Sequence, residues 1–238
     1  MNENRVDGAV LERVGRMDGL GALLLASSVL AFTAPLEVGG QKVSWSHPIV
    51  TGLVGAGVLL AIAFAFVESR WAREPIFPLR LVRNRDVTKS YLVSFGQSAA
   101  QLGMMYTVPI YFQVSQHVSS TAAGAHLSPA VIGNTVGGIA AGLIINRTGR
   151  YKALILLAAV SSITSYTLML LRWHGQTNWL ESLYVFPGGL GMGIAQSAAF
   201  IALQACIEPR DKAPAASGLF LSGTLGSIVG MASSSASV

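Results

Sequence analysis

The chain has 238 residues, of which 52% are hydrophobic and only 11% charged, and its mean hydropathy is +0.54. A soluble domain carries about 25% charged residues, so these figures exclude an ordinary water-soluble fold and point to lipid as the main solvent. The one cysteine, Cys206, excludes a disulfide framework and a cysteine-rich zinc site.

A single Asp, Glu, Lys or Arg near the bilayer centre costs at least ~2.5–3.5 kcal/mol, so runs free of these residues mark the membrane spans. The runs are 19–36, 43–67, 90–146, 153–171, 182–207 and 213–238. Residues 1–18 form a charged, mildly amphipathic segment. No small-residue cleavage site follows the first run, and more spans come after it, so it reads as a retained helix and not as a leader. Helices are expected at 19–36 and 47–67. The basic segment 68–89 follows, interrupted by Pro75 and Pro78, and reads as an irregular or interfacial linker. Its cations are either solvated or in reach of anionic headgroups. The run 90–146 is too long for one span of about 20 residues and breaks at the polar stretch 113–121, QVSQHVSST. Helices of about 90–112, 122–145, 153–171, 183–205 and 214–238 result. Lipid offers the backbone no hydrogen-bond partner, so each span must be helical. The expected fold is all-α, a polytopic transmembrane bundle of about seven spans.

The basic residues set the orientation. Segments 1–18, 68–89, 146–152 and 208–212 alternate with 37–42 and 172–181 across the membrane. Of the 16 Lys and Arg residues, only Lys42 and Arg172 fall in the second set. The positive-inside rule then places the N-terminus and the first set in the cytoplasm. Charge spread over four short connections forms no patch for nucleic acid, so the net charge of +5 does not imply a nucleic-acid partner.

Inside the spans, attention falls on small and amide residues. Gly133, Gly137, Gly138 and Gly142 give two Gly-x-x-x-Gly pairs, and Gly188, Gly189, Gly191 and Gly193 crowd another span. They either pack helices tightly or let them slide and bend. Gln97 and Gln101 lie one turn apart, and Asn134 sits mid-span. Gly189, Gly193, Gln196, Phe200 and Gln204 share one helix face. Uncharged amides at depth are interhelical glue or the lining of a polar cavity. Their recurrence on several helices makes Gln97, Gln101, Asn134 and Gln196 the candidate cavity residues. The four histidines, His47, His117, His126 and His174, fall toward the non-cytoplasmic side, as structural residues or as sensors of an acidic compartment. No metal-ligand spacing, P-loop or nucleophile motif is present. The sequence is not that of an enzyme, and no catalytic residue or metal ligand is assigned.

The connection Gly142-Leu-Ile-Ile-Asn146-Arg147-Thr-Gly149-Arg150-Tyr-Lys152 resembles the G-x-x-x-D-R-x-G-R-x-K loop of the major facilitator superfamily. By that resemblance Gly142 permits a close helix crossing, Gly149 a tight turn, and the cations hold the cytoplasmic side. Asn146 stands where the family has an acidic residue. Further pieces resemble the fourteen-helix drug:proton antiporter branch: Arg16-Met-Asp18-Gly-Leu-Gly21, Val38-Gly-Gly40 with Ser44-Trp45, Arg73-Glu-Pro75-Ile-Phe-Pro78-Leu, Pro109-Ile-Tyr-Phe-Gln113, Leu127-Ser-Pro129, and Ala202-Leu-Gln204 through Pro214-Ala-Ala-Ser-Gly218. The resemblance implies that residues 19–67 are that branch's two extra central helices and 90–238 about five of the six helices of its C-terminal half. The first six-helix half, with the coupling acid, and the last helix are then missing, and the truncated chain is not competent alone. The implied function is proton-coupled export or exchange of drugs or metabolites by an antiporter of the plasma membrane or a vacuolar-type membrane. The partners are lipid, a small-molecule substrate and the N-terminal half; the proton gradient stands in place of a cofactor. The alternative is a non-transporting fragment that partners or regulates a full-length transporter.

Overall fold

A computed structural model describes residues 19–38, 47–70, 80–175 and 177–237. The segment 1–18, the loop 39–46 and the proline-bearing stretch 71–79 lie outside the described residues. The chain divides into two compact units, Met1–Asn84 and Arg85–Val238. Every regular element among the described residues is helical.

In the first unit, α1 (Gly19–Val38) packs on α2 (Pro48–Arg70), and one further turn, α3 (Arg80–Arg83), follows. A Cβ added at Gly57 would come within 3.2 Å of the Phe32 ring, so the missing side chain lets the two helices close on each other. His47 Nδ1 accepts the Ile49 N–H at 3.2 Å, satisfying one of the free donors at the start of α2.

The second unit contains α4 (Arg85–Gln116), α5 (Ser120–Ala125), α6 (Ser128–Thr148), α7 (Tyr151–Arg172), α8 (Phe186–Ala205) and α9 (Lys212–Ser237). Short 3₁₀ segments, Trp179–Val185 and Pro209–Asp211, precede α8 and α9. Among the described residues seven helices reach twenty residues or more. Five stretches are long and apolar enough to cross a membrane: Pro48–Glu68, Ser120–Thr148, Tyr151–Arg172, Trp179–Ala205 and Pro209–Ser235. The apolar part of α1, Gly19–Pro35, is shorter. α4 has the length, 32 residues, but Gln97, Gln101 and its serines lower its hydropathy.

The helices run past the charge-free stretches at several ends. Residues 85–89, read from sequence as linker, form the first turns of α4, because nothing after Pro78 opposes a helix and Lys89 pairs with Asp86 at 3.1 Å. At about 48 Å, α4 is longer than a ~30 Å hydrocarbon core and carries these charges beyond it. Conversely, the helix expected over 122–145 is broken at His126 and Leu127, and the one over 183–205 begins as a 3₁₀ segment. Pro129 and Pro187 explain both. Each lacks an N–H and occupies the first turn of a new α-helix, where none is needed.

Glycine seams hold the second unit together. On α6, a Cβ at Gly133 or Gly137 would strike the α8 backbone at Phe186 and Leu190. On α8, a Cβ at Gly189 or Gly193 would overlap the carbonyls of Ala130 and Asn134. Two Gly-x-x-x-Gly pairs thus face each other, backbone on backbone. Gly226 and Gly230 do the same for α9 against Phe95 and Ala99 of α4, and Gly191 does so for α8 against Ala158 and Ser162 of α7. Gly142 is different. An added Cβ there meets nothing within 4 Å, and the close crossing of α6 on α8 runs through Gly133 and Gly137, nine and five residues earlier. Hydroxyls reinforce the seams: Tyr91 Oη donates to the Ala215 carbonyl (3.1 Å) and Ser222 Oγ to that of Tyr91 (2.7 Å) across α4–α9. Across α7–α8, Ser161 Oγ donates to the Pro187 carbonyl at 2.7 Å. An apolar cluster of Ala141, Ile145, Leu154, Ala158, Ile194, Ala195 and Ala198 fills the space among α6, α7 and α8.

Candidate substrate cavity

Helices α4, α6, α8 and α9 line an open cavity of about 480 Å³. From α8 come Met192, Gly193, Gln196, Ser197 and Phe200; from α9 come Leu219, Phe220, Gly223, Thr224 and Ser227. The two sets have identical internal spacing, the i, i+1, i+4, i+5, i+8 pattern that keeps residues on one helix face. Ser94 and Ser98 of α4 and Asn134 and Gly138 of α6, each pair one turn apart, complete the lining. The Phe200 and Phe220 rings stand 6.3 Å apart, tilted by 41°.

None of the lining residues is charged. Their hydroxyl protons are largely committed to the main chain: Ser94 Oγ donates to the Leu219 carbonyl (3.4 Å), Ser197 Oγ to Gly138 (3.1 Å), Thr224 Oγ1 to Phe220 (2.9 Å) and Ser227 Oγ to Gly223 (2.9 Å). These four hydroxyls therefore present lone pairs to the cavity. The carboxamides of Asn134 and Gln196, both exposed, bring N–H donors as well as acceptors. The wall is uncharged, rich in acceptors and flanked by two aromatic rings.

The structure separates the four amides singled out by sequence. Asn134 and Gln196 line the cavity together. Gln97 does not; its Nε2 donates to Ser162 Oγ at 2.6 Å and ties α4 to α7. Gln101 is 4% exposed, and its Oε1 finds no partner among the described residues. Of the face read on α8, Gly193, Gln196 and Phe200 line the cavity, while Gly189 is pressed against Ala130. Ser94, Ser98, Ser197, Thr224, Ser227 and Phe220 were not singled out from sequence. The repeated spacing of small and hydroxylic residues along α9 is the signal that could have found them.

The family-like loop lies at the other end of α6. Gly149 has φ 66°, in the left-handed region, and its N–H donates to the Ile145 carbonyl at 2.8 Å, closing the helix. Asn146, Arg147, Arg150 and Lys152 are exposed. At the opposite end of the unit, His126 is buried between Phe112, whose ring stacks on it at 3.7 Å, and Trp179. Its Nδ1 lies 2.5 Å from Ser182 Oγ. His47, His117 and His174 are exposed. Among the described residues no group of three His, Cys, Asp or Glu side chains could hold a metal ion.

Residues 17–232 match the sequence profile of the Major Facilitator Superfamily. The chain belongs to that superfamily. Superfamily members are transporters and not enzymes, and with its apolar helices this chain is an integral membrane protein. It is similar to the vacuolar membrane amino acid uptake transporter fnx2 of Schizosaccharomyces pombe, 29% identical over 96% of this chain and 40% of the relative. It is also similar to the multidrug resistance protein fnx1 of the same yeast, 27% identical over 92% of this chain and 42% of the relative. The efflux pump dotC of Dothistroma septosporum is 31% identical over 85% of this chain and 35% of the relative. The chain thus spans about 40% of the length of the curated relatives it matches.

Proposed function

We propose that the chain is the C-terminal portion of a proton-coupled secondary transporter that moves small molecules, with the cavity among α4, α6, α8 and α9 as one wall of the substrate site. The observation that carries this reading is an uncharged cavity, apolar for the most part and set with hydroxyls and two carboxamides, within a superfamily of transporters. With no ionisable group on this wall, coupling falls to an acidic residue of a six-helix N-terminal half. Rocking of that half against the unit Arg85–Val238 alternates access to the site. A wall rich in acceptors and flanked by Phe200 and Phe220 favours substrates that carry N–H or O–H donors on an apolar frame. Relatives named for amino acid uptake, multidrug resistance and efflux support that range. The distribution of Lys and Arg supports a cytoplasmic N-terminus, and a relative named for the vacuolar membrane supports a vacuolar-type membrane as an alternative to the plasma membrane.

The test uses the protein recovered from its own membranes with an antibody against residues 80–89, reconstituted into vesicles under an imposed pH gradient. Saturable, gradient-dependent flux of amino acids or aromatic amines supports the proposal, accompanied by an immunoblot band well above 24.9 kDa. A band at 24.9 kDa with no flux overturns it in favour of a non-transporting partner of another transporter. Saturable flux from the 238-residue chain alone overturns the assignment of coupling to a separate half.

A further inference from the structure

A second pocket, of about 310 Å³, opens at the basic end of the second unit, away from the cavity and sharing no residue with it. Its walls are the first turns of α4 (Asp86, Lys89, Ser90, Val93), the first turns of α7 (Tyr151, Lys152, Ile155) and the end of α8 (Ala202, Cys206). The lining is divided. Lys89, Lys152 and Asp86 stand at the exposed rim. Val93, Tyr151 and Ile155 pack against the apolar cluster among α6, α7 and α8, so the floor of the pocket continues into hydrocarbon-like interior. Ser90 Oγ is bound to the Asp86 carbonyl at 3.0 Å. Asp86 Oδ1 is held at 3.1 Å by Lys89, which leaves the rim with one positive charge in excess. α8 contributes no charged side chain to the pocket, and the loop residues Arg147 and Arg150, both exposed, precede Lys152 on the same end of the unit.

We propose that this pocket binds the phosphate of an anionic phospholipid, with Lys89 and Lys152 on the phosphate oxygens and the first part of an acyl chain on Val93, Ile155 and Ala202. Two features favour a lipid over a soluble phosphate. The pocket sits where α4, α7 and α8 end, and α7 and α8 lie in stretches apolar and long enough to cross a membrane, which puts it at the level of the headgroups. Its cationic rim lies directly over an apolar floor, which a free anion would leave unmatched. Basic side chains at the cytoplasmic surface attract anionic lipid, each by roughly fivefold in affinity. Neither lysine lines the cavity, so the pocket neither depends on the transport reading nor fails with it.

Native mass spectrometry of the full purified chain, exchanged into phosphatidylcholine nanodiscs and titrated with phosphatidylglycerol, tests the proposal. The expected result is retained phosphatidylglycerol adducts that weaken about thirtyfold in the double variant Lys89→Gln/Lys152→Gln, two lysines at the fivefold above. The double variant Lys89→Arg/Lys152→Arg should restore them. Thermal unfolding of both variants in phosphatidylcholine alone shows whether they fold as the unaltered chain does. Equal retention of phosphatidylglycerol by the Gln variant overturns the site, as does retention of phosphatidylcholine as strong as that of phosphatidylglycerol. Inorganic phosphate that displaces the lipid at equal concentration overturns the lipid assignment in favour of a soluble phosphate. A Gln variant that fails to fold moves the test to the exposed Lys152→Gln alone, for which a loss below twofold counts against the proposal.

Discussion

Along the α6–α8 seam and along the wall of the cavity, the second unit uses the same residue types to opposite ends. In the seam, Gly133, Gly137 and Gly189 bring two backbones into contact and leave no room for a methyl group. On the wall, Gly138 and Gly223 have only ordinary or slightly tight neighbours, and the space they leave is the cavity itself. The contrast extends to the amides. Gln97 is bound to Ser162 across helices, whereas Gln196 is exposed on the cavity wall. In a membrane, where apolar contact gives helices little reason to associate, what a small or polar residue does depends on whether another helix faces it.

The most severe way to break this comparison is a side chain in the seam. Gly189→Leu should abolish correct folding, because its Cβ would overlap the Ala130 carbonyl and main chain cannot yield as a side chain can. Overpacking costs about 1–3 kcal/mol where neighbouring side chains can shift, occasionally more; a collision with main chain along the seam forces the two helices apart and lies beyond that range. Size-exclusion chromatography in detergent should show an aggregated chain, and a monodisperse Gly189→Leu variant would mean that the seam is looser than it looks. A smaller effect is expected from Gln97→Leu, which removes one interhelical hydrogen bond. Denaturation in mixed micelles should register a loss of about 0.6–1.7 kcal/mol, with substrate affinity in the intact transporter unchanged.

Gln196→Leu and Asn134→Leu should reverse that outcome, leaving stability within about 0.5 kcal/mol. They should weaken apparent substrate affinity in the intact transporter about fivefold, the worth of one hydrogen bond of ~1 kcal/mol. If Gln97→Leu shifts affinity and Gln196→Leu does not, the two roles are exchanged. The smallest effect belongs to Gly142→Ala, whose added methyl meets open space. It should leave the melting temperature in detergent unchanged or slightly raised, since alanine is the better helix former by about 1 kcal/mol.

Much of the fold could be read from charge alone, because the cost of a charge in hydrocarbon confines Asp, Glu, Lys and Arg to helix ends. Charge says nothing about where an apolar run stops being α-helix, so the new starts at Pro129 and Pro187 needed the geometry of proline. Glycine spacing marked the α6–α8 seam, and the identical spacing of Gly226 and Gly230 marks α4–α9. Spacing alone did not distinguish either from Gly142, because the distinction lies in whether another helix faces the position. The site was half legible for the same reason. Amides in apolar runs are conspicuous, but Gln97, Gln101 and Gln196 differ only in what stands opposite them. The serines and threonines of the wall were masked by their abundance throughout the spans.

The partnership of α4 with α9 sets a condition on biosynthesis. α4 is the least apolar of the long helices of its unit, and the groups that accept from Tyr91 and Ser94 lie on α9. That helix begins at Lys212, so it is made about a hundred residues after the end of α4. At ribosomal speeds of about 5–20 residues per second, α4 waits on the order of ten seconds before its own partner exists. Throughout that interval its hydroxyls and amides need temporary company, from α6 to α8 as they emerge or from the insertion machinery. Truncation before Lys212 would therefore strand α4, the helix made first in this unit.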